Sequence, residues 1–159
     1  MNRSHAFVAA AAFVVSLVSG ACAPAPETGA TPEAGAAMPA SIVDPYLKIS
    51  SALSKDSLDS VRANAGDLAI AATALGSPAV KIDTSAVALA SATQIEDARE
   101  KFGTLSEAVV AYVDGLHLTL PDGVQVASCP MKQKPWLQQG PAIENPYFGS
   151  SMLTCGSFR

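Results

Sequence analysis

Histidine is almost missing from this chain, and most familiar catalytic arrangements go with it. There are two, His5 and His117. His5 falls in a segment that reads as removed on export, so His117 stands alone. No Ser-His-Asp arrangement, His metal pair or Cys-x-x-Cys motif is present, and no Gly-rich phosphate loop follows any predicted strand. The acidic pairs Glu96-Asp97 and Asp56/Asp59 sit on predicted solvent faces or helix starts, where solvation and capping account for them. His117, just past the longest predicted helix, reads as a packing or solvent-facing residue. Nothing here supports catalysis. Basic charge is scarce too: ten Lys and Arg against fourteen Asp and Glu give a formal net charge of -4 and a pI near 5.0. With no basic stripe to meet phosphates, a nucleic-acid partner is not expected. Aromatics make up 6% of the chain, and the 49% hydrophobic content rests heavily on Ala. That predicts a modest core of small side chains, which favours closely packed helices.

No apolar run is long enough to span a bilayer. The longest, Ala6 to Val18, follows Arg3 and precedes Ser19-Gly20-Ala21, the layout of an export signal over residues 1–21. Cys22 directly after Gly20-Ala21 matches the bacterial lipoprotein pattern, apart from Ser19 where Leu is usual, and is expected to carry lipid. Ala23 after it supplies no acidic retention signal, so the periplasmic face of the outer membrane is the favoured address. The stretch from Ala23 to Ala40 is rich in Pro, Ala, Gly and Glu and lacks an apolar period, the composition of a flexible tether. Residues 22–43 are therefore assigned to a tether and 44–159 to the folded domain. Loss of the signal removes Arg3 and no acidic residue, taking the formal charge to -5.

Within the domain, Asp44-Pro45 predicts a helix start, with Asp as N-cap and Pro at the first position. Tyr46, Ile49 and Leu53 mark its apolar face. Asp56 and Asp59 open a second helix, whose stripe runs Leu58, Val61, Ala65, Leu68, Ala72 and Leu75; Gly76 and Pro78 end it. Ser85 to Ala92 predicts a short third helix. Ile95, Ala98, Phe102, Leu105, Val109, Tyr112 and Leu116 keep a helical step over a long fourth, from about Thr93 to Asp114. It passes through Gly103, and Gly115 is its expected terminator. Val124, Val126 and Ser128 alternate with Gln125 and Ala127 as a short strand. The fold class predicted is all-α: an antiparallel bundle of three to four helices, with a small irregular C-terminal lobe carrying short strands.

The chemistry crowds into that lobe. It holds the single Trp, Trp136, two of the four Met and two of the three Cys, as Cys129-x-Met131 and Met152-x-x-Cys155. Trp136, Tyr147 and Phe148 read as packing of the lobe on the bundle, Asn145-Pro146-Tyr147 with Gly149 as a fixed turn, and Lys132 and Lys134 as a solvated loop edge. With Cys22 assigned to lipid, Cys129 and Cys155 form a pair with no thiol left over. Outside the cytosol such a pair has two common uses. One is a disulfide, which across 26 residues would contribute about 3–4 kcal/mol by constraining the unfolded chain. The other is a soft-metal site, since thiolate and thioether donors suit Cu(I) or Ag(I), whereas Zn(II) prefers thiolate and imidazole. A disulfide accounts for the two Cys and leaves the neighbouring Met to chance. The metal ligands expected are therefore Cys129, Met131, Met152 and Cys155, with a structural Cys129–Cys155 disulfide in a protein-interaction module as the alternative.

These motifs, together with Trp136-Leu137, Ile143-Glu144-Asn145-Pro146-Tyr147-Phe148-Gly149 and, upstream, Tyr46-Leu47, Ala52-Leu53, Arg99, Phe102 and Leu105-Ser106, resemble an uncharacterised bacterial exported-domain family. The resemblance runs from about Pro45 to Phe158. That domain also forms the C-terminal piece of periplasmic adaptor subunits of copper and silver efflux pumps. The resemblance implies a helical bundle, heavy-metal handling through the same four sulfur residues, and efflux or trafficking proteins as partners. These 159 residues leave no room for an adaptor's barrel, lipoyl-like or hairpin domains, so the chain is not expected to be such an adaptor itself.

Overall fold

A computed structural model of the protein describes residues 31–159. Four helices and a three-stranded antiparallel sheet make up the fold: α1 (Ala40–Ser54), α2 (Val61–Ala74), α3 (Val80–Ala90), α4 (Ile95–Leu116), β1 (Val124–Cys129), β2 (Lys134–Gln139) and β3 (Ser157–Phe158). The predicted signal, Cys22 and the first part of the tether lie outside the described residues. Among those described, no helix is long and apolar enough to cross a membrane.

Successive helices pack side by side, α1 on α2, α2 on α3 and α3 on α4, while β2 lies against both α4 and α1. The predicted stripes face the core: Tyr46, Ile49 and Leu53 on α1, Val61, Ala65, Leu68 and Ala72 on α2, and Ala98, Phe102, Leu105, Val109 and Tyr112 on α4 are all buried. An aromatic chain joins bundle to lobe. Phe102 has its ring centroid 5.2 Å from that of Tyr46 and 5.9 Å from that of Tyr147, and Trp136 meets Tyr147 edge-on at 5.7 Å.

Several element ends differ from the sequence reading. α1 begins at Ala40, not at Asp44, because the Pro39 carbonyl accepts from the amides of Ile42 and Val43 at 3.0 and 3.1 Å. Ile42 and Val43 thereby join the buried face, and Pro45 lies inside the helix. Nor do residues 35–43 behave as tether. Met38 is 3% exposed, the Met38 amide donates to Thr119 O at 2.9 Å, and Thr119 N donates to Ala36 O at 3.0 Å, placing this segment beside the exit of α4. α2 starts at Val61 after Ser60, which has a left-handed backbone; Asp59 does not cap it. α3 starts at Val80, five residues before the predicted Ser85, after a 3-10 turn over Ser77–Ala79. α4 continues through Gly115 to Leu116 and is closed by His117, whose φ of 52° lets the Leu118 amide return to Val113 O at 2.9 Å.

β1 and β2 form a hairpin with Val124 opposite Gln139 and Cys129 opposite Lys134, and β3 pairs on the other side of β1. Two lysines mark the turn between β1 and β2, Lys132 within it and Lys134 at the start of β2. Lys132 and Lys134 bind Glu100 and Glu107 of α4, so they anchor the hairpin to the helix where a solvated edge is predicted. Gly103 is explained at the same contact: a Cβ there would lie 2.6 Å from Lys134 Cδ.

Candidate functional site: a cysteine pair at the end of the sheet

Cys129 closes β1, and Cys155 immediately precedes Gly156 and β3, so strand pairing carries two residues 26 apart to the same end of the sheet. Their sulfurs are 3.7 Å apart and unbonded. Cys129 is 1% exposed and Cys155 is half-buried.

The turn after β1 folds back onto Cys129. Gln133, with φ 56°, donates its amide to Cys129 O at 2.7 Å, and the Lys132 amide points at Cys129 Sγ from 3.4 Å. On the other side stands Asn145, which is fully buried. Its Nδ2 donates to Cys155 O at 2.5 Å, its Oδ1 accepts from Tyr147 N at 2.8 Å, and its backbone N–H donates to Leu153 O at 2.7 Å. Asn145 thus ties the Cys155 segment to the turn that delivers Tyr147 into the core. A shallow cleft bordered by Val110, Gln133 and Lys134 reaches this region.

Burial pushes the Cys129 thiol up, but hydrogen bonds from the Lys132 amide, the Asn145 side chain, the Cys155 thiol and the Met131 amide outweigh it and leave the group below the ordinary thiol range. Cys155 moves the other way, because its hydrogen bond to Cys129, then burial and the neighbouring charge, all favour its protonated form. The contact between the two sulfurs thus pulls the two thiols in opposite directions.

The structure brings Cys129 and Cys155 together. Met131 lies on the hairpin turn and is 67% exposed, while Met152 follows a 3-10 turn and is half-buried. His117 is exposed and occupied in closing α4. Among the described residues, no group of three or more His, Cys, Asp or Glu is placed to hold a metal ion. The donors that this region does bring together are the two cysteine sulfurs. For scale, zinc–thiolate bonds of about 2.3 Å put two thiolates on one tetrahedral ion about 3.8 Å apart, so the two sulfurs, at 3.7 Å, are close enough to share an ion.

Sequence reasoning missed two residues that build the site. Asn145 reads as a turn residue, and its burial depends on contacts with residues 8–10 positions away. Arg99 binds Pro146 O at 3.2 Å, Leu53 O at 3.0 Å and Asp56 Oδ1 at 2.5 Å, while the Ser150 amide donates to Asp56 Oδ2 at 3.1 Å. Asp56 is therefore the lobe's fastening and not a helix cap. Gly149 is required beside it, since its φ is 55° and a Cβ would fall 2.0 Å from Asp56 Oδ1. An Arg and an Asp 43 residues apart give no sequence signal of pairing.

The model of a family described as "Protein of unknown function (DUF3347)" matches residues 42–119. The matched span takes in the four helices, apart from the first two residues of α1, and stops before the sheet and both cysteines of the lobe. No curated protein and no solved structure matches the chain.

Proposed function

We propose that this domain binds one soft monovalent metal ion, Cu(I) or Ag(I), through Cys129 and Cys155, with Met131 and Met152 completing the site. The observation that carries the proposal is the 3.7 Å separation of two unbonded sulfurs. Turn amides aimed at Cys129 Sγ support it, because a thiolate must exist before it can ligate and oriented N–H groups favour that form. Exposed Met131 is free to swing its thioether onto an ion, as a core Met is not. In this reading the protein is exported, anchored through lipid on Cys22 at the periplasmic face of the outer membrane, and works by binding, not catalysis. Its partners are the proteins that deliver or remove the metal, including heavy-metal efflux components.

The test is titration of the reduced domain with Cu(I) against a competing chelator. One equivalent should bind tightly. Met131→Leu and Met152→Leu keep volume and remove sulfur; each should weaken binding at least about tenfold, equivalent to about 1.4 kcal/mol, with stability nearly unchanged. Binding like wild type in both variants, or none in the reduced wild type, overturns the proposal. The second reading, a protein-interaction module stapled by a Cys129–Cys155 disulfide, draws on the same contact between the sulfurs and predicts that second outcome.

A further inference from the structure

The two sulfurs differ in access more than in position. Cys129 is held by strand register, by the folded-back turn and by Asn145, and it is 1% exposed. Cys155 lies in the short segment between the 3-10 turn and β3. Its backbone is fixed by the Cys155 N to Met152 O bond at 3.0 Å and by Asn145 Nδ2 on its carbonyl, while its side chain is half-open to solvent. Exchange with an external disulfide needs one sulfur that can be approached from outside and a second within reach behind it. A disulfide bond is about 2.05 Å long, so the 3.7 Å gap closes by a movement on the scale of a side-chain rotation.

We infer that Cys129 and Cys155 form a dithiol–disulfide exchange couple, in which Cys155 meets an external disulfide and Cys129 resolves it. The steps balance as follows. Cys155 Sγ attacks one sulfur of a disulfide RSSR, passing its proton to the departing sulfur as RSH and forming Cys155–S–S–R. The Cys129 thiolate then attacks Cys155 Sγ, breaking its bond to the sulfur of R, forming the Cys129–Cys155 disulfide and expelling RS⁻. The pair loses two electrons and the external disulfide gains them; the Cys155 proton leaves on RSH. Where the pair holds a soft metal, which rests on the reading above, closure removes both thiolates and releases the ion.

The experiment treats reduced, metal-free protein with oxidised glutathione, stops it by acid at intervals and reads the products by mass. Wild type should close to the intramolecular disulfide with the mixed disulfide passing transiently. Cys129→Ser should accumulate a stable adduct on Cys155. Cys155→Ser should be trapped on Cys129 at least about tenfold more slowly, since reactivity follows exposure as well as thiolate fraction. Equal trapping in the two variants, or a persistent adduct without closure in wild type, overturns the inference. The wild-type time course decides closure even if a variant does not fold. A final arm repeats it on Cu(I)-loaded protein with a chromogenic chelator. Closure in protein that never bound Cu(I) sinks the metal reading and leaves exchange standing; tight Cu(I) binding without closure does the reverse.

Discussion

At the scale of single residues, the molecule uses its few polar side chains more than once. Tyr46 is fully buried, yet its hydroxyl lies 2.6 Å from Ser106 Oγ and accepts the Leu137 amide at 3.2 Å, so one oxygen links α1, α4 and β2. Burial pushes that phenol far above its usual range, though both hydrogen bonds oppose the shift. Asp56 works the same way at the surface. Hydrogen bonds from Ser150 and then Arg99 lower its carboxyl from 3.8 to about 2. A carboxylate with a depressed folded-state value stabilises the fold fully above its unfolded value and loses that contribution as pH falls through the folded one. Asp56→Asn should therefore be less stable than wild type at pH 5 to 7. The gap should narrow as pH falls from about 4 to about 2, measured by denaturant unfolding across that range. A gap independent of pH would show that the carboxylate's charge is not what fastens the lobe.

At the scale of elements, α4 is the spine. Its buried side carries Phe102 between Tyr46 and Tyr147, and its outer side carries Glu100 and Glu107, which receive the two hairpin lysines. The surface ion pairs contribute at most about 1 kcal/mol each, whereas a fully buried Phe contributes several-fold more through packing. Phe102→Ala should cost about 3–5 kcal/mol, a large part of the roughly 5–15 kcal/mol of a whole domain. Equilibrium unfolding in urea measures it, and a loss below about 1 kcal/mol would be the behaviour of a surface position.

At the scale of the whole molecule, the family match ends at residue 119, but the core does not. Trp136 and Leu137 on β2 and Tyr147 in the following turn are buried against the helices, and Cys129 belongs to the same hydrophobic cluster. A chain ending at Thr119 exposes the inner sides of α1 and α4 to water. Such a chain should lose the cooperative thermal transition of the full domain, followed by circular dichroism at 222 nm, the wavelength of the helical band. A sharp transition at the full-length midpoint would show that the helices are self-sufficient and the lobe merely appended.

The sequence by itself determined the helices' existence and their buried faces, because the 3.6-residue period in Ile95 to Leu116 and Leu58 to Leu75 has no other efficient way to bury apolar surface. It also marked the sulfur-bearing lobe, since residue type alone defines a soft donor. Element ends were less legible: Asp44-Pro45 carries a strong start signal, yet the burial of Ile42 and Val43 overrode it. Tertiary structure alone decided that Met38 is core and that Lys132 and Lys134 are anchored. It also decided that Arg99 and Asp56 hold the lobe, and that Cys129 and Cys155 meet with one sulfur enclosed and the other open. Each of these depends on residues far apart in the chain whose approach is fixed by packing and strand register, and neither leaves a periodic trace in the sequence.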